Sequence, residues 1–214
     1  MRQADVTIVD YGVGNLLSVQ RGFEHCGAKV ISTSNPNEIF SAKRLVLPGV
    51  GAFGSGMKAL DVLQLIPVIK EVAEHGIPLL GICLGMQLLL DHSEEFGLTP
   101  GLGLISGKVI AIPDFSERGE RLKIPHIGWN KLVPANQAGW QGTILSANDP
   151  DDAMYFIHSF MATPSDNSHR LADCVYGGNH IAAVIHRDNI MGCQFHPEKS
   201  GGIGLKVLRQ FLAL

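Results

Sequence analysis

Over the first ninety residues, short apolar runs alternate with longer stretches of helical period. Val6-Thr7-Ile8-Val9 reads as a buried strand, and Val30-Ile31, Leu45-Val46-Leu47 and Pro78-Leu79-Leu80-Gly81-Ile82 read as further strands. Between them, residues 16–26 read as a helix that Gly27 is placed to end. Asn35 and Pro36 open a short helix as N-cap and first-turn residue. Residues 62–75 read as a helix broken at Pro67, and residues 86–90 as another. Strands that are apolar throughout, separated by helices, predict a parallel sheet covered on both faces.

The pattern changes after residue 97. Gly and Pro become frequent up to residue 148, with short extended pieces at residues 108–111 and 131–133 and a further strand at residues 155–157. Residues 182–185 and 190–195 read as a hairpin around Arg187-Asp188-Asn189. Ile203, Val207, Leu208 and Phe211 recur at helical spacing in a final helix over 203–214. No repeat or disordered linker interrupts this order. The expectation is one α/β domain over residues 1–214, with a mostly parallel central sheet, helices on both faces and an added antiparallel layer.

Composition narrows the class. The 214 residues are 45% hydrophobic and 17% charged, as in a globular chain with a substantial core. A net charge of −3 gives no sign of a nucleic-acid or membrane surface, and Lys43-Arg44 is too short to argue otherwise. Cys26, Cys83, Cys174 and Cys193 are scattered without a C-x-x-C pair, which argues against zinc. The N-terminus lacks a signal-peptide core, and no apolar run is long enough to span a bilayer. A cytoplasmic location with free thiols is the default.

Two short motifs carry chemistry. Gly81-Ile82-Cys83-Leu84-Gly85 is the cysteine counterpart of G-x-S-x-G, sited where a strand runs into a helix. A nucleophile on so sharp a turn needs neighbours without bulk, which Gly81 and Gly85 supply, and a helix N-terminus behind it favours a thiolate. The bland alternative is a buried cysteine beside two packing glycines. His196-Pro197-Glu198 follows another apolar strand, and Pro197 stiffens the turn so that a carboxylate stands near the imidazole. Its bland alternative is a surface loop, and the other histidines read as surface or packing residues.

Gly49-Val50-Gly51-Ala52-Phe53-Gly54 also fits the dinucleotide pattern G-x-G-x-x-G. That pattern belongs to a first βα turn, with an acid about 20 residues on at the end of the next strand. Here it follows the third strand, and the next one ends in Gly81-Ile82-Cys83. A loop beside the elbow can instead offer backbone N–H groups to an oxyanion, and Val50, Gly51 and Leu84 are the candidates.

Taken together, the elbow and the H-P-E turn resemble the class I, triad-type glutamine amidotransferases over essentially the whole chain. The resemblance implies that Cys83, His196 and Glu198 hydrolyse glutamine to glutamate and ammonia, without metal or cofactor. It also implies glutamine contacts at Gly49, Gln87, Glu95, Ser159 and Phe160; the last is often tyrosine in the family, so a hydroxyl is lost here.

Asp10 to Asn15, Leu47 to Phe53, Cys83 to Gln87, Pro125 to Asn130 and Gln194 to Ser200 occur in the order seen in glutaminase subunits of the histidine pathway. Those subunits form heterodimers with a (β/α)8-barrel synthase that uses the ammonia to make imidazole glycerol phosphate and AICAR. Asn15, Trp129, Tyr155 and Lys199 resemble barrel-facing positions; core aromatics, a helix cap and a solvated charge are the alternatives. Three rival functions remain. They are a paralogue serving surface-polysaccharide sugar amidation, a cysteine peptidase on the same elbow, and a scaffold without activity.

Overall fold

The computed structural model describes residues 4–137 and 139–214. The N-terminal reading above falls partly on residues 1–3, which lie outside the described residues. The strands are β1 Val6–Val9, β2 Val30–Thr33, β3 Leu45–Gly49, β4 Leu79–Cys83, β5 His92–Ser93, β6 Thr99–Pro100 and β7 Gly107–Ala111. They continue with β8 His126–Pro134, β9 Ala153–His158, β10 Phe160–Pro164, β11 Arg170–Tyr176, β12 Asn179–Arg187 and β13 Ile190–Cys193. The helices are α1 Leu16–His25, α2 Pro36–Phe40, α3 Phe53–Val62, α4 Leu65–Glu74, α5 Leu84–Leu88 and α6 Gly201–Ala213.

Among the described residues, nine strands form a mixed sheet in the order β2-β1-β3-β4-β13-β12-β11-β8-β9. The first five run parallel, and the remainder are joined antiparallel. A second sheet, β10-β7-β5-β6, forms the added layer. Side chains of the parallel strands alternate between two cores. Leu45, Leu47 and Leu79 join α3, α4 and α5 on one face, while Val46, Leu80 and Ile82 join α1 and α6 on the other. This is the α/β architecture that the apolar strands predict.

The helices form where the pattern places them, except for α3 Phe53–Val62, which the pattern does not place, and with two corrections. Asn15 and Asn35 cap α1 and α2 through their side chains, and Gly27, at φ +87°, follows the end of α1. The break expected at Pro67 lies instead at Gln64, whose φ of +53° separates α3 from α4. Pro67 sits in the first turn of α4, where its missing N–H has no intrahelical partner to lose. The helix expected over residues 86–90 begins at Leu84, directly after Cys83.

Close backbone approach explains three glycines around the elbow. A Cβ on Gly85 would stand 1.8 Å from the Leu47 oxygen, and one on Gly81 would stand 2.6 Å from the Gly85 oxygen. On the other face, Gly204 of α6 packs onto the Pro197 carbonyl, which a Cβ would meet at 2.1 Å.

Gly85→Ala therefore forces backbone against backbone and is expected to destabilise the fold by more than about 3 kcal/mol. Gly76→Ala, at φ +73° in open space, should cost only about 1 kcal/mol. Urea unfolding of both variants checks this ranking, and equal losses would contradict the close-approach assignment.

Candidate active site

The carboxyl ends of β3, β4 and β13 lie side by side, with Gly49 opposite Cys83 and Cys193 opposite Ile82. This is the edge of an open parallel sheet where ligands gather. Cys83 closes β4 and adopts φ +55° and ψ −111°. For a residue with a side chain that backbone is strained, at a cost of roughly 1–3 kcal/mol. The β3 and β13 ladders on either side hold it there.

His196 is fixed from several directions. Its N–H donates to the Tyr155 carbonyl at 3.0 Å, and its own carbonyl accepts from Ser200 Oγ at 2.7 Å. Its Nδ1 lies 2.8 Å from Glu198 Oε1, with the two side chains 3% and 0% exposed. The turn that carries them is pressed between Gly204 of α6 and Gly22 of α1, whose added Cβ would stand 3.2 Å from Glu198 Cβ. His196 Nε2 and Glu198 Oε2 are buried without a hydrogen-bond partner. Burial works to lower the His196 pKa, but Cys83 and Glu198 outweigh it and raise the value to about 9. The imidazole is thus poised to hold a proton beside the sulfur.

Cys83 and His196 open into a cavity of about 450 Å³. Val50, Gly51, Leu84, Gln87, Glu95, Ser159, Phe160 and Lys199 also line it, so most of the residues singled out in the sequence converge here. Gly49 does not reach the wall. It lies behind the wall, where the absence of a Cβ lets the Tyr11 hydroxyl and Leu84 close in. That hydroxyl donates to the Pro48 carbonyl at 2.6 Å and ties down the loop entering Val50-Gly51. Gly51 has φ +94° with open space around it, a backbone that a glycine peptide adopts without penalty. Glu95 Oε2 accepts from the Phe53 N–H at 2.6 Å, so one carboxylate both lines the cavity and holds the start of α3.

Of the barrel-facing candidates, Trp129 is 59% exposed and is not a core aromatic. Its ring meets Tyr155 edge-on at 6.1 Å. Asn15 is exposed and caps α1, accepting from the Ser18 N–H at 3.3 Å, while Lys199 is exposed at the cavity mouth.

Two groups escape a motif reading. His126 and His158, set aside as surface or packing histidines, are 3% and 6% exposed and joined ring to ring at 3.0 Å. Burial lowers the His126 pKa and is the largest cause lowering that of His158 to about 4. The signal was present in the alternation of β9, where Met154, Phe156 and His158 occupy successive buried positions. Gln194, fully buried, lies 3.7 Å from the Cys83 sulfur through its amide nitrogen.

The family model described as Glutamine amidotransferase class-I matches residues 7–213. The imidazole glycerol phosphate synthase subunit HisH 1 of Legionella pneumophila strain Lens is 54% identical over 212 residues, covering 99% of this chain and 100% of its own. HisH subunits of the same synthase from Methanosarcina barkeri and Thermosynechococcus vestitus are 47% and 46% identical. They cover 97% and 98% of this chain and 97% and 96% of their own. Among solved structures, a glutamine amidotransferase superposes with a TM-score of 0.72 at 16% identity, covering 97% of both chains. PurLQS from Thermotoga maritima superposes with a TM-score of 0.67 at 18% identity, covering 97% of this chain and 96% of its own. At those identities the two structures speak for the fold alone.

Glu198→Gln removes one of the charges that raise the His196 pKa, which should fall from about 9 toward 6.5 when followed by NMR titration of the ring. Because the folded-state value lies above the unfolded one, protonated His196 contributes stability in full below pH 6.5 and loses it as the pH rises through about 9. The variant should lose less stability than the wild type across that window. An unchanged titration of His196 would contradict the pairing.

Proposed function

The chain belongs to the class I glutamine amidotransferase family, and on that premise we propose that it is the glutaminase subunit of an imidazole glycerol phosphate synthase. It hydrolyses glutamine to glutamate and ammonia, and a partner cyclase consumes the ammonia in histidine biosynthesis. The near full-length match to HisH subunits supports this assignment over the sugar-pathway paralogue. The observation that carries the chemistry is the strained Cys83 sharing one cavity with a His196 held by Glu198.

In this reading His196 takes the proton of the Cys83 thiol, and Glu198 stabilises the imidazolium that forms. The sulfur attacks the side-chain amide carbon of glutamine and makes a tetrahedral oxyanion. Backbone N–H groups of Leu84 and of Val50 or Gly51 receive that charge, each worth about 3 kcal/mol in the barrel-bound enzyme. His196 returns its proton to the departing nitrogen, ammonia leaves, and a glutamyl thioester remains. Water, deprotonated by His196, cleaves the thioester, so one water enters for each glutamate and ammonia released. Gln87, Glu95, Ser159 and Phe160, which line the cavity, are the contacts for glutamine.

Free ammonia is wasted, so the cavity is expected to face the partner. Around it, Leu17, Val50, Ile127, Trp129 and Ile157 are exposed apolar side chains, which suits a docking face with Asn15, Tyr155 and Lys199 among its polar and aromatic contacts. The partner is a separate (β/α)8-barrel subunit, and the pair forms a heterodimer. One domain spans the chain, and it works in the cytoplasm; no helix among the described residues is long and apolar enough to cross a membrane.

Cys83→Ala, assayed in complex with the cyclase, should lower glutamine-dependent synthesis by at least about a thousandfold. Synthesis driven by added ammonium salt should persist at its wild-type rate. Retention of glutamine turnover in the variant would overturn the assignment of Cys83 as nucleophile.

A further inference from the structure

Of four buried polar side chains beside the elbow, Gln194, His126 and His158 have no role in the reaction as written, and Gln87 has only a substrate contact. Each is at most 6% exposed. Their hydrogen bonds form one chain, and a single main-chain atom sets its direction.

That atom is the Phe160 carbonyl oxygen. It accepts from Gln87 Nε2 at 3.0 Å and from His158 Nδ1 at 2.9 Å. A carbonyl has no donor state, so both neighbours must present N–H to it. On one side, the Gln87 nitrogen also lies 2.8 Å from the Gln194 side chain, whose facing atom must then be its oxygen. The Gln194 nitrogen is thereby turned to the Cys83 sulfur, 3.7 Å away. On the other side, His158 carries its proton on Nδ1, so its Nε2 accepts from His126 Nδ1 at 3.0 Å. His126 Nε2 in turn faces the Asn130 amide nitrogen at 3.3 Å, and that nitrogen also donates to the Val175 carbonyl at 2.9 Å. Flipping any one group would set two donors or two acceptors against each other in a water-poor site.

We propose that Gln194 is a further catalytic residue, presenting an amide N–H that holds and stabilises the Cys83 thiolate, and that Gln87, oriented by the Phe160 carbonyl, is the positioning residue that locks it in that orientation; His158, backed by His126, anchors that carbonyl from its other side. The chemistry of the pieces fits this role. A neutral amide donates to an anionic sulfur without competing with His196 for the proton, and a charge-assisted bond strengthens as the thiolate forms. Both imidazoles stay neutral, as the chain requires, because burial disfavours their charged forms. Strand β8 supplies the outer members, His126 and Asn130.

The proposal rests on Cys83 being the nucleophile, and its test can be read without glutamine. The probe is the alkylation rate of Cys83 by iodoacetamide at neutral pH, followed on its own peptide by mass spectrometry. In folded Gln194→Met the rate should fall about tenfold, the equivalent of one hydrogen bond to a charged group. Glutamine kcat should fall alongside it, with KM changing by less than about twofold, since the lost contact is to sulfur and not to substrate. Gln194→Glu, which keeps the shape and places an oxygen against the sulfur, should behave alike and stands in if the methionine variant does not fold. Nitrogen NMR should find the Nδ1–H tautomer on both His126 and His158. Wild-type alkylation in a folded Gln194 variant would overturn the proposal, and a proton on Nε2 of His158 would overturn the anchoring of the Phe160 carbonyl. Slowed alkylation in a chain that never turns over glutamine would leave it standing and remove the glutaminase reading instead.

Discussion

The left-handed backbone at Cys83 is the constraint on which the rest depends. A residue with a Cβ takes φ +55° only when its surroundings leave no cheaper choice. Here β3 and β13 clamp β4 in parallel register, and Gly85 folds back against the Leu47 carbonyl at a distance no side chain would permit. The strain fixes where the sulfur points and puts the first residues of α5, with their unpaired N–H groups, beside it. The same tight turn brings the Val50-Gly51 loop against Leu84. Every other feature of the cavity is arranged around a sulfur that cannot move far.

Two opposing electrostatic environments meet at that sulfur. His196 is buried yet favoured in its protonated form, because Cys83 and Glu198 act on it more strongly than desolvation does. His158, on the same cavity wall, is buried without a carboxylate and is favoured neutral. The contrast leaves one ring favoured with a proton beside the sulfur and the other favoured neutral, donating to the Phe160 carbonyl. A second carboxylate, Glu95, lines the same cavity and is held at the start of α3 by the Phe53 N–H.

Much of this was legible in the residues, for physical reasons that differ by region. The parallel half was readable because β1, β3 and β4 are buried on both faces and separated by helices; Asn15, Asn35 and Gly27 do in the fold what their residue types suggest. The elbow and the His196 turn were readable because close backbone approach admits only glycine at positions 81 and 85 and because Pro197 fixes the turn between His196 and Glu198. What stayed hidden depends on tertiary neighbours. Helix α3 was missed because Gly54 and Gly56 weaken its propensity, and Gly56 earns its place only by packing against Leu84 and Leu88. Strands β10 and β11 lie in a stretch whose polar residues resemble loop until their partners β7 and β12 are known. The bond from Gln194 to Cys83 spans 111 residues, and no local pattern encodes it.

One measurement bears most directly on the central claim that Cys83 releases ammonia from glutamine on behalf of a barrel partner. Ammonia release by the purified chain is followed alone, with the histidine-pathway cyclase of the same organism, and with that cyclase plus its nucleotide ligand. Slow release by the isolated chain that rises sharply in the liganded complex is the predicted result. A rate that is the same in all three conditions would contradict it.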